Sequence, residues 1–450
     1  MILDRNSFGI WSFIAKRAFK AEFIKPKMSD AVDSLRRTLK ETEASMYIHI
    51  PFCTGTCMFC PYVRRPVPKQ KLEEMVGKYV RALIKELKMY HNILKDHELK
   101  IVDIHAGGGT PSLIPGKYWK ILLESISEFF NTEPKIAIEA NPEDLRDEAK
   151  TFDLIDSGVD EVSLGVQSFN PKVLKILGRR HDANDSLAAI ENLRNAGCKY
   201  INIDLMYMIP TQTVKDWVLD LEKASQQEVD EITCYPTLIT PYTIGYKLIR
   251  EGKIPPQPDR ETFKEMVYAC ENILPSKGFK GVEIYGYSRS QWKYVTVNYE
   301  MEGPLIGVGC GATGFTGGFE YQNTCFIEEY FNSILRNKLP IAGARNVTEK
   351  ERAIRYTVTR LFICRALNKR EFKLKFKKEF DKYVGNTVFG KFLKILKVTG
   401  DVEESDEEIT LTRKGLLTAH KVCWAFVLNV PCRMVEEYSK TPWPSKVVIP

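Results

Sequence analysis

Three cysteines, Cys53, Cys57 and Cys60, stand within eight residues, directly after the short apolar run Tyr47-Ile-His-Ile-Pro-Phe52. Thiolates at this spacing can wrap one small iron–sulfur cube, and three of them leave one iron without a protein ligand. An open metal corner is a place for chemistry. With 11 cysteines in 450 residues, a chance Cys-x3-Cys-x2-Cys is expected about 0.007 times, so three unrelated thiols are a poor account. A structural zinc site would want four ligands, usually in paired Cys-x2-Cys knuckles, and the nearest further candidate is His49. A gap of three residues, then a gap of two, with no second knuckle downstream, suits a cluster better. The other eight cysteines are scattered singly and read as small core hydrophobes in a reducing compartment.

Further polar residues fall where apolar strand-like runs end, the place where parallel sheets keep their active groups. His105-Ala-Gly107-Gly108-Gly109-Thr110-Pro111 lets the backbone approach a ligand and offers amide donors to an anion. It is not a Walker loop, because no Lys-Ser/Thr follows. Ile138-Glu139-Ala-Asn141-Pro142 puts a carboxylate where it could hold an ammonium group. Ser163-Leu-Gly-Val-Gln167-Ser-Phe-Asn170 ends in an amide and Ser168, and Ile203-Asp204-Leu-Met-Tyr207 carries another acid. A lone acid at such a place is ordinarily a cap or an ion-pair partner. Glu139, Gln167, Arg179 and Asp204 taken together could clamp a zwitterionic amino acid and a ribose.

The elements that must position these groups alternate from residue 46 onward. Strand candidates are Met46–Pro51, Ile101–Ala106, Lys135–Ala140, Glu161–Val166, Tyr200–Leu205 and Glu231–Tyr235. Leu72, Val76, Val80, Leu83 and Leu87 repeat at helical spacing between the first two. Lys117–Phe130, Glu143–Asp156, Asn184–Ala196 and Thr213–Gln227 supply later crossovers. Six β-α units in succession imply a parallel sheet, open or curled. Past residue 240 the regularity fades into a helix at Arg260–Leu274, the segment Gly281–Ser288 and the glycine-rich Gly307–Gly314. The last hundred residues read as a small module. Val347–Leu361 starts on a Thr348/Glu351 capping box, Phe372, Phe376 and Phe380 form an aromatic stripe with a solvated lysine face, Asp401–Glu408 is an exposed acidic turn, and Ile409–Gly415 leads into a last helix, Leu416–Val427. The expected organisation is 1–45 a helical extension, 46–240 a core barrel, 241–345 its substrate-side extension and 346–450 the C-terminal module, winged-helix-like.

Apolar residues make up 44% of the chain and aromatics 11%, the composition of a folded protein. A net charge of +7 spread over 65 basic and 58 acidic residues is too mild to argue for nucleic-acid binding. The N-terminus has neither a signal-peptide core nor a transmembrane run, so a cytoplasmic location is expected. Phe8–Phe19 forms a short basic amphipathic pattern, read as a helix packed over the barrel rather than as a membrane anchor.

The cysteine loop, Gly107-Gly-Gly-Thr-Pro111, Glu139-Ala-Asn-Pro142 and Leu164-Gly-Val-Gln-Ser-Phe-Asn170 together resemble the radical S-adenosylmethionine (SAM) superfamily. More narrowly they are similar to the oxygen-independent coproporphyrinogen III oxidase group, which includes its heme-chaperone relatives. The likeness is clear from Tyr47 to Thr213 and looser through Gly314, and Thr410-Leu-Thr-Arg-Lys-Gly415 is similar to that group's small C-terminal domain. The resemblance implies an α/β fold, a partial (β/α)6 barrel holding a 4Fe–4S cluster on Cys53, Cys57 and Cys60. It implies that SAM chelates the fourth iron and that one electron cleaves it to a 5′-deoxyadenosyl radical, which abstracts a substrate hydrogen. For SAM it implies Tyr47 beside the cluster, Gly108, Gly109 and Thr110, Glu139 for the amino group, Gln167 and Arg179, and Asp204 for the ribose. A ferredoxin- or flavodoxin-type electron donor is the expected partner, and the expected substrate is an organic molecule such as a tetrapyrrole, as in porphyrin biosynthesis.

The chain also departs from the group. Members that oxidise coproporphyrinogen carry a further cysteine two residues after the third, where this chain has Tyr62. Heme-chaperone members carry a His-Asn-x-x-Tyr-Trp motif; between Tyr285 and Gly309 this chain has Ser290-Gln-Trp292-Lys-Tyr294. The usual Gly-Leu-Pro after the fifth strand is Met208-Ile209-Pro210. Two alternatives therefore stand beside the oxidase-like reading. One is a methyltransferase using a second SAM molecule, bordered by Gly307–Gly314 unless those glycines merely pack; the other is a heme-binding carrier. No residue is singled out as a general base.

Overall fold

The computed structural model describes residues 21–241, 243–290, 303–423 and 429–449. The amphipathic run Phe8–Phe19, the stretch Gln291–Tyr294 and the end of the last expected helix lie outside them. The six expected strands are all present, as Glu43–Ile50, Lys100–Gly108, Lys135–Ala140, Glu161–Gln167, Tyr200–Tyr207 and Glu231–Pro236. They pair in parallel, in sequence order, with helices between them. The first strand pairs on its other side with Leu305–Val308 and the sixth with Gly286–Ser288, so the two do not close on each other. The fold is α/β, a partial (β/α)6 barrel with a small C-terminal winged-helix-like unit.

Alternation along each strand separates two environments. Met46, Ile48, Ile104, Ile138, Val162, Leu164, Ile201 and Ile203 belong to the main hydrophobic core under the crossover helices. Their sequence neighbours are polar and bond across the inner side: the Ser163 hydroxyl donates to Asp204 (3.1 Å), and the Asn202 amide to both Ser163 (2.8 Å) and Asp204 (3.1 Å). The expected helix Glu143–Asp156 is two helices, Pro142–Leu145 and Glu148–Asp156. Asp147 separates them because its carboxylate accepts from the Lys150 N–H and so starts a new helix.

Beyond the barrel the sheet continues where no regular pattern was legible. Thr313–Phe315, Phe319–Asn323, Ile341–Asn346, Ala21–Ile24 and Lys446–Ile449, with Lys280–Gly281 at the opposite edge, extend it to 14 strands among the described residues. The N-terminal segment, expected to be helical, thus supplies a strand as well as the helix Met28–Thr38. Ala21–Ile24 pairs with Lys446–Ile449, more than 400 residues away, so no local window could reveal it.

A fully buried carboxylate ties this extension to the barrel. Glu86, on the crossover helix Lys69–Leu94, accepts hydrogen bonds from the Gly309 N–H (2.9 Å), the Asn323 amide (3.0 Å) and the Tyr330 hydroxyl (2.7 Å). Two turns earlier, Tyr79 donates to the His49 carbonyl (2.8 Å) and accepts from the Cys310 N–H (2.8 Å). Stripping the carboxylate would leave three buried donors unpartnered, each worth about 1–3 kcal/mol. Glu86→Ala is expected to destabilise the fold by about 3–5 kcal/mol, read by urea unfolding. Burial pushes this carboxyl up from 4.5 to about 7 against the pull of its donors. The folded state therefore holds the proton more tightly than the unfolded chain. Its contribution is complete below pH 4.5 and declines as pH rises towards about 7, by about 3 kcal/mol in all. The difference between wild type and Glu86→Gln across that range is the test; equal pH slopes would refute it.

The C-terminal unit has its own core. Phe372, Phe376 and Phe380 are buried in it with Leu361, Phe362, Leu396 and Leu416, as the aromatic stripe suggested. A three-stranded antiparallel sheet joins Ala366–Asn368, Glu408–Leu411 and Val402–Glu404. The acidic block is therefore no simple exposed turn: Val402–Glu404 is a strand, and Asp401 is buried, accepting from the Thr418 hydroxyl at 2.6 Å. Arg365, at φ +66°, clamps this unit to the barrel through Glu271 at 2.9 and 3.2 Å.

Candidate functional site

The first strand runs out at Ile50, and the cysteine loop leaves it through Pro51 and Phe52. Two backbone amides of the glycine turn hold the loop: Gly109 N–H donates to the Ile50 carbonyl (2.7 Å) and Thr110 N–H to the Phe52 carbonyl (2.8 Å). Glycine is required here by contact. A Cβ on Gly109 would stand 2.6 Å from both carbonyl oxygens, and one on Gly108, at φ +101°, 2.2 Å from the His49 ring. Gly108 N–H donates to Glu139 Oε2 at 3.2 Å. The amides read from sequence as donors to an anion are thus engaged within the protein, seating the cysteine loop and orienting a carboxylate.

Cys53, Cys57 and Cys60 are all half-buried free thiols. A hydrogen-bonded arc joins the first two. Thr110 Oγ1 donates to Cys53 Sγ (3.6 Å) and accepts from Asn141 Nδ2 (3.2 Å). Asn141 Oδ1 accepts from Arg179 Nη2 (2.7 Å), and Arg179 Nη1 donates to Cys57 Sγ (3.5 Å). Arg64 donates to the Cys60 carbonyl at 3.0 Å. The arc gathers groups from the turns after the second and third strands, and from beyond the helix Pro171–Leu177, onto the loop that leaves the first strand. Asn141 and Arg64 were not singled out from sequence. Asn141 lay inside a quoted motif, but a side-chain amide after a strand is ordinarily a helix cap.

Do these groups fit a cluster and a SAM molecule? Burial pushes the Cys53 thiol up to about 11 against the pull of the Thr110 hydrogen bond, and Cys60 and Cys57 add to the rise. Three neighbouring thiols will not ionise together unless a cationic centre stands among them, which is what cluster iron provides. Among the described residues no three His, Cys, Asp or Glu are gathered tightly enough to share one metal ion. The zinc alternative also needs a fourth ligand, for which His49 is the nearest candidate. Both ring nitrogens of His49 are also taken, by the Tyr47 hydroxyl (3.0 Å) and the Val63 carbonyl (2.9 Å). Arg179 Nε is buried with no hydrogen-bond partner, a donor left over beside the cysteine loop. Such an orphan fits the carboxylate of an amino acid.

The remaining residues read from sequence line the inner side of the same end. Tyr47 stacks on His105, ring centroids 5.8 Å apart, and His105 Nε2 lies 3.4 Å from Glu139 Oε1. Glu139 stays 40% exposed there, open to a ligand. Gln167 is buried at φ +65°, a left-handed conformation costly for a residue with a Cβ, and accepts from the Tyr235 hydroxyl at 2.9 Å. Burial, then the Glu139 charge, push the Asp204 carboxyl up to about 7. Seven of the eight residues expected at SAM therefore lie in the C-terminal halves of the first five strands or in the turns that follow, and Arg179, past the helix Pro171–Leu177, reaches back to the fourth strand through the Gly165 carbonyl. The Gly307–Gly314 turn does not open a comparable space. Cβ atoms on Gly307, Gly309, Gly311 or Gly314 would come within 1.9–2.9 Å of neighbouring atoms, so these glycines pack.

Comparison with known proteins agrees with this geometry. The radical SAM superfamily pattern matches residues 47–224. The heme chaperone HemW of Bacillus subtilis is 28% identical over 389 residues, covering 85% of this chain and 99% of that protein. The oxygen-independent coproporphyrinogen III oxidase of Bradyrhizobium diazoefficiens is 27% identical, covering 73% of this chain and 76% of that one. In fold, the chain is similar to the coproporphyrinogen III oxidase HemN of Escherichia coli, with a TM-score of 0.77, 21% identity and coverage of 90% and 94%. Among the described residues no helix is long and apolar enough to cross a membrane. The family implies a 4Fe–4S cluster and SAM. With its cysteine loop, glycine turn and strand-end acids gathered at one end of a partial barrel, this chain belongs to the radical SAM superfamily, in the coproporphyrinogen oxidase-like group that also holds the heme chaperones.

Proposed function

We propose that this protein is a radical SAM enzyme that takes a hydrogen atom from an organic substrate, a tetrapyrrole being the class its relatives suggest. Cys53, Cys57 and Cys60 would hold the 4Fe–4S cluster. When bound, the reduced cluster supplies the electron that splits the SAM sulfonium, giving the 5′-deoxyadenosyl radical. This chain's residues bind and orient. Glu139, held by Gly108 N–H beside His105, would take the methionine ammonium; Arg179, through its unpartnered Nε, the carboxylate; Asp204 the ribose. Tyr47, Gly109, Thr110 and Gln167 would complete the wall, and the packed strands around it limit water. The observation that carries the reading is the arc from Cys53 through Thr110, Asn141 and Arg179 to Cys57, which couples the cluster loop to the proposed SAM carboxylate site.

The name of the B. subtilis relative favours a second reading, heme carriage. Tyr62, where oxidising members carry cysteine, leans the same way, and the missing His-Asn-x-x-Tyr-Trp motif leans against it. Two-SAM methyl transfer gains no support from the packed Gly307–Gly314 turn. One experiment separates all three: mass spectrometry of SAM turnover by anaerobically reconstituted protein with a strong reductant, beside a heme titration. 5′-Deoxyadenosine without S-adenosylhomocysteine is the expected result. S-adenosylhomocysteine as a second product would mean methyl transfer; stoichiometric heme binding with no SAM cleavage, even when tetrapyrrole is supplied, would mean carriage.

A further inference from the structure

The cysteine loop is flanked by two segments whose charge is one-sided. Residues 61–71 and 171–180 hold eight Lys or Arg and no Asp or Glu, in a chain whose whole net charge is +7. Both touch the loop. Val67 N–H donates to the Cys53 carbonyl (2.9 Å), and Met58 N–H to the Leu177 carbonyl (3.3 Å). Four of the cations are spent locally: Arg64 on Cys60, Arg65 on Glu328, Arg179 on Cys57 and Arg180 on Thr54. Lys69, Lys71, Lys172 and Lys175 remain, all exposed and in no ion pair among the described residues. Lys69 and Arg180, one from each segment, meet on a recess of about 550 Å³ whose wall includes Thr54 of the loop; its acids Glu143, Asp144 and Asp153 are matched there in number by Arg146, Lys150 and Arg180, so the free lysines lie at its rim and outside it.

Helix electrostatics explain Lys175, which stands in the last turn of Pro171–Leu177 where a cation is favoured, but not the other three lysines. Lys69 and Lys71 lie in the first turn of Lys69–Leu94, and Lys172 in the first turn of Pro171–Leu177, and neither turn has an acid. The N-terminal end of a helix favours carboxylates and disfavours cations. Residues set against local preference on an exposed face mark a surface shaped for something outside the fold.

We propose that this basic collar is the docking surface for an acidic one-electron carrier protein. The inference rests on the cluster reading above: SAM cleavage consumes an electron, and the described chain has no second cysteine group to relay one. The collar brackets the loop, and Thr56 between Cys53 and Cys57 is exposed, so a carrier seated on it stands next to the cluster ligands. One electron leaves the carrier, which is oxidised by one, and enters the cluster, which is reduced by one; no covalent bond changes. Charge-steered redox contacts of this kind are small and salt-sensitive.

The test reverses Lys69, Lys71, Lys172 and Lys175 to Glu together, a change the two helix N-termini favour at the first three and the last turn of Pro171–Leu177 disfavours at Lys175. The probe is an acidic flavodoxin. Its affinity is measured for the unreconstituted protein, and, after reconstitution, reduction of the iron–sulfur absorbance is followed with reduced flavodoxin or with dithionite. The expected result at low salt is a loss of about 10- to 100-fold in flavodoxin affinity and flavodoxin-driven rate. Wild-type binding should weaken with salt, and dithionite-driven reduction should be equal in both proteins. Equal flavodoxin affinity in wild type and variant overturns the docking surface. So does wild-type binding to phosphatidylserine vesicles with none to flavodoxin. Should the reversed variant lose its fold by circular dichroism, the Lys→Gln set decides in its place. Absence of a reducible cluster in the wild type would fault the proposed function, while the affinity arm still decides the docking surface.

Discussion

Anaerobically reconstituted Cys53→Ala protein is expected to bind little iron and to release 5′-deoxyadenosine at background level. Losing an outer partner of a metal ligand alone costs about 10- to 100-fold in affinity or activity, so losing a ligand should cost at least about 100-fold. The fold should survive, because Cys53 is half-buried and belongs to none of the hydrophobic cores. Iron content, the iron–sulfur absorbance and SAM turnover, read beside the melting temperature, separate loss of the cluster from loss of the protein. Thr110→Val is the graded companion. It deletes the hydroxyl that donates to Cys53 and accepts from Asn141 while leaving every thiol in place, and an effect of about 10-fold is expected. Full iron content and undiminished SAM cleavage in Cys53→Ala would end the proposed assignment.

The second large effect is expected at Arg179. Its guanidinium spans Asn141, the Gly165 carbonyl (2.9 Å) and Cys57 while keeping Nε for a ligand. Arg179→Ala should weaken SAM binding to reconstituted protein by about 100-fold or more, the loss of a charge-assisted contact of about 3 kcal/mol. It should also lower stability by about 1–3 kcal/mol, since Asn141 Oδ1 and the Gly165 carbonyl lose their donor. Arg179→Lys discriminates between charge and shape. A lysine keeps the charge but cannot fork between Asn141 and Cys57, so its SAM affinity should fall between those of wild type and alanine. Equal SAM affinity in all three proteins, measured by equilibrium dialysis, would remove Arg179 from the carboxylate role.

Much of this site is legible in the chain because its parts are local. Three cysteines in eight residues, a glycine turn at one strand end and an acid at the next are each written within a few positions. The six parallel strands were also readable, since a β-α alternation repeats its pattern every few tens of residues. What each glycine serves was not readable. Gly108 and Gly109 suggested a cradle for a ligand, whereas their amides seat Glu139 and the cysteine loop.

By itself, then, the sequence determined the cysteine loop, the six barrel strands, and the kinds of side chain at the strand ends. Tertiary structure alone decided which of those ends meet. Asn141 became the bridge between Thr110 and Arg179, and so between Cys53 and Cys57, only when two strand ends and the segment after the helix Pro171–Leu177 were brought side by side. Glu86 became the anchor of the Gly309 turn 223 residues further along the chain. Ala21–Ile24 found its strand partner near the opposite terminus. The physical reason is common to all three. Hydrogen-bond satisfaction and burial are properties of a neighbourhood in space, and for these residues that neighbourhood is assembled from segments that no local pattern links.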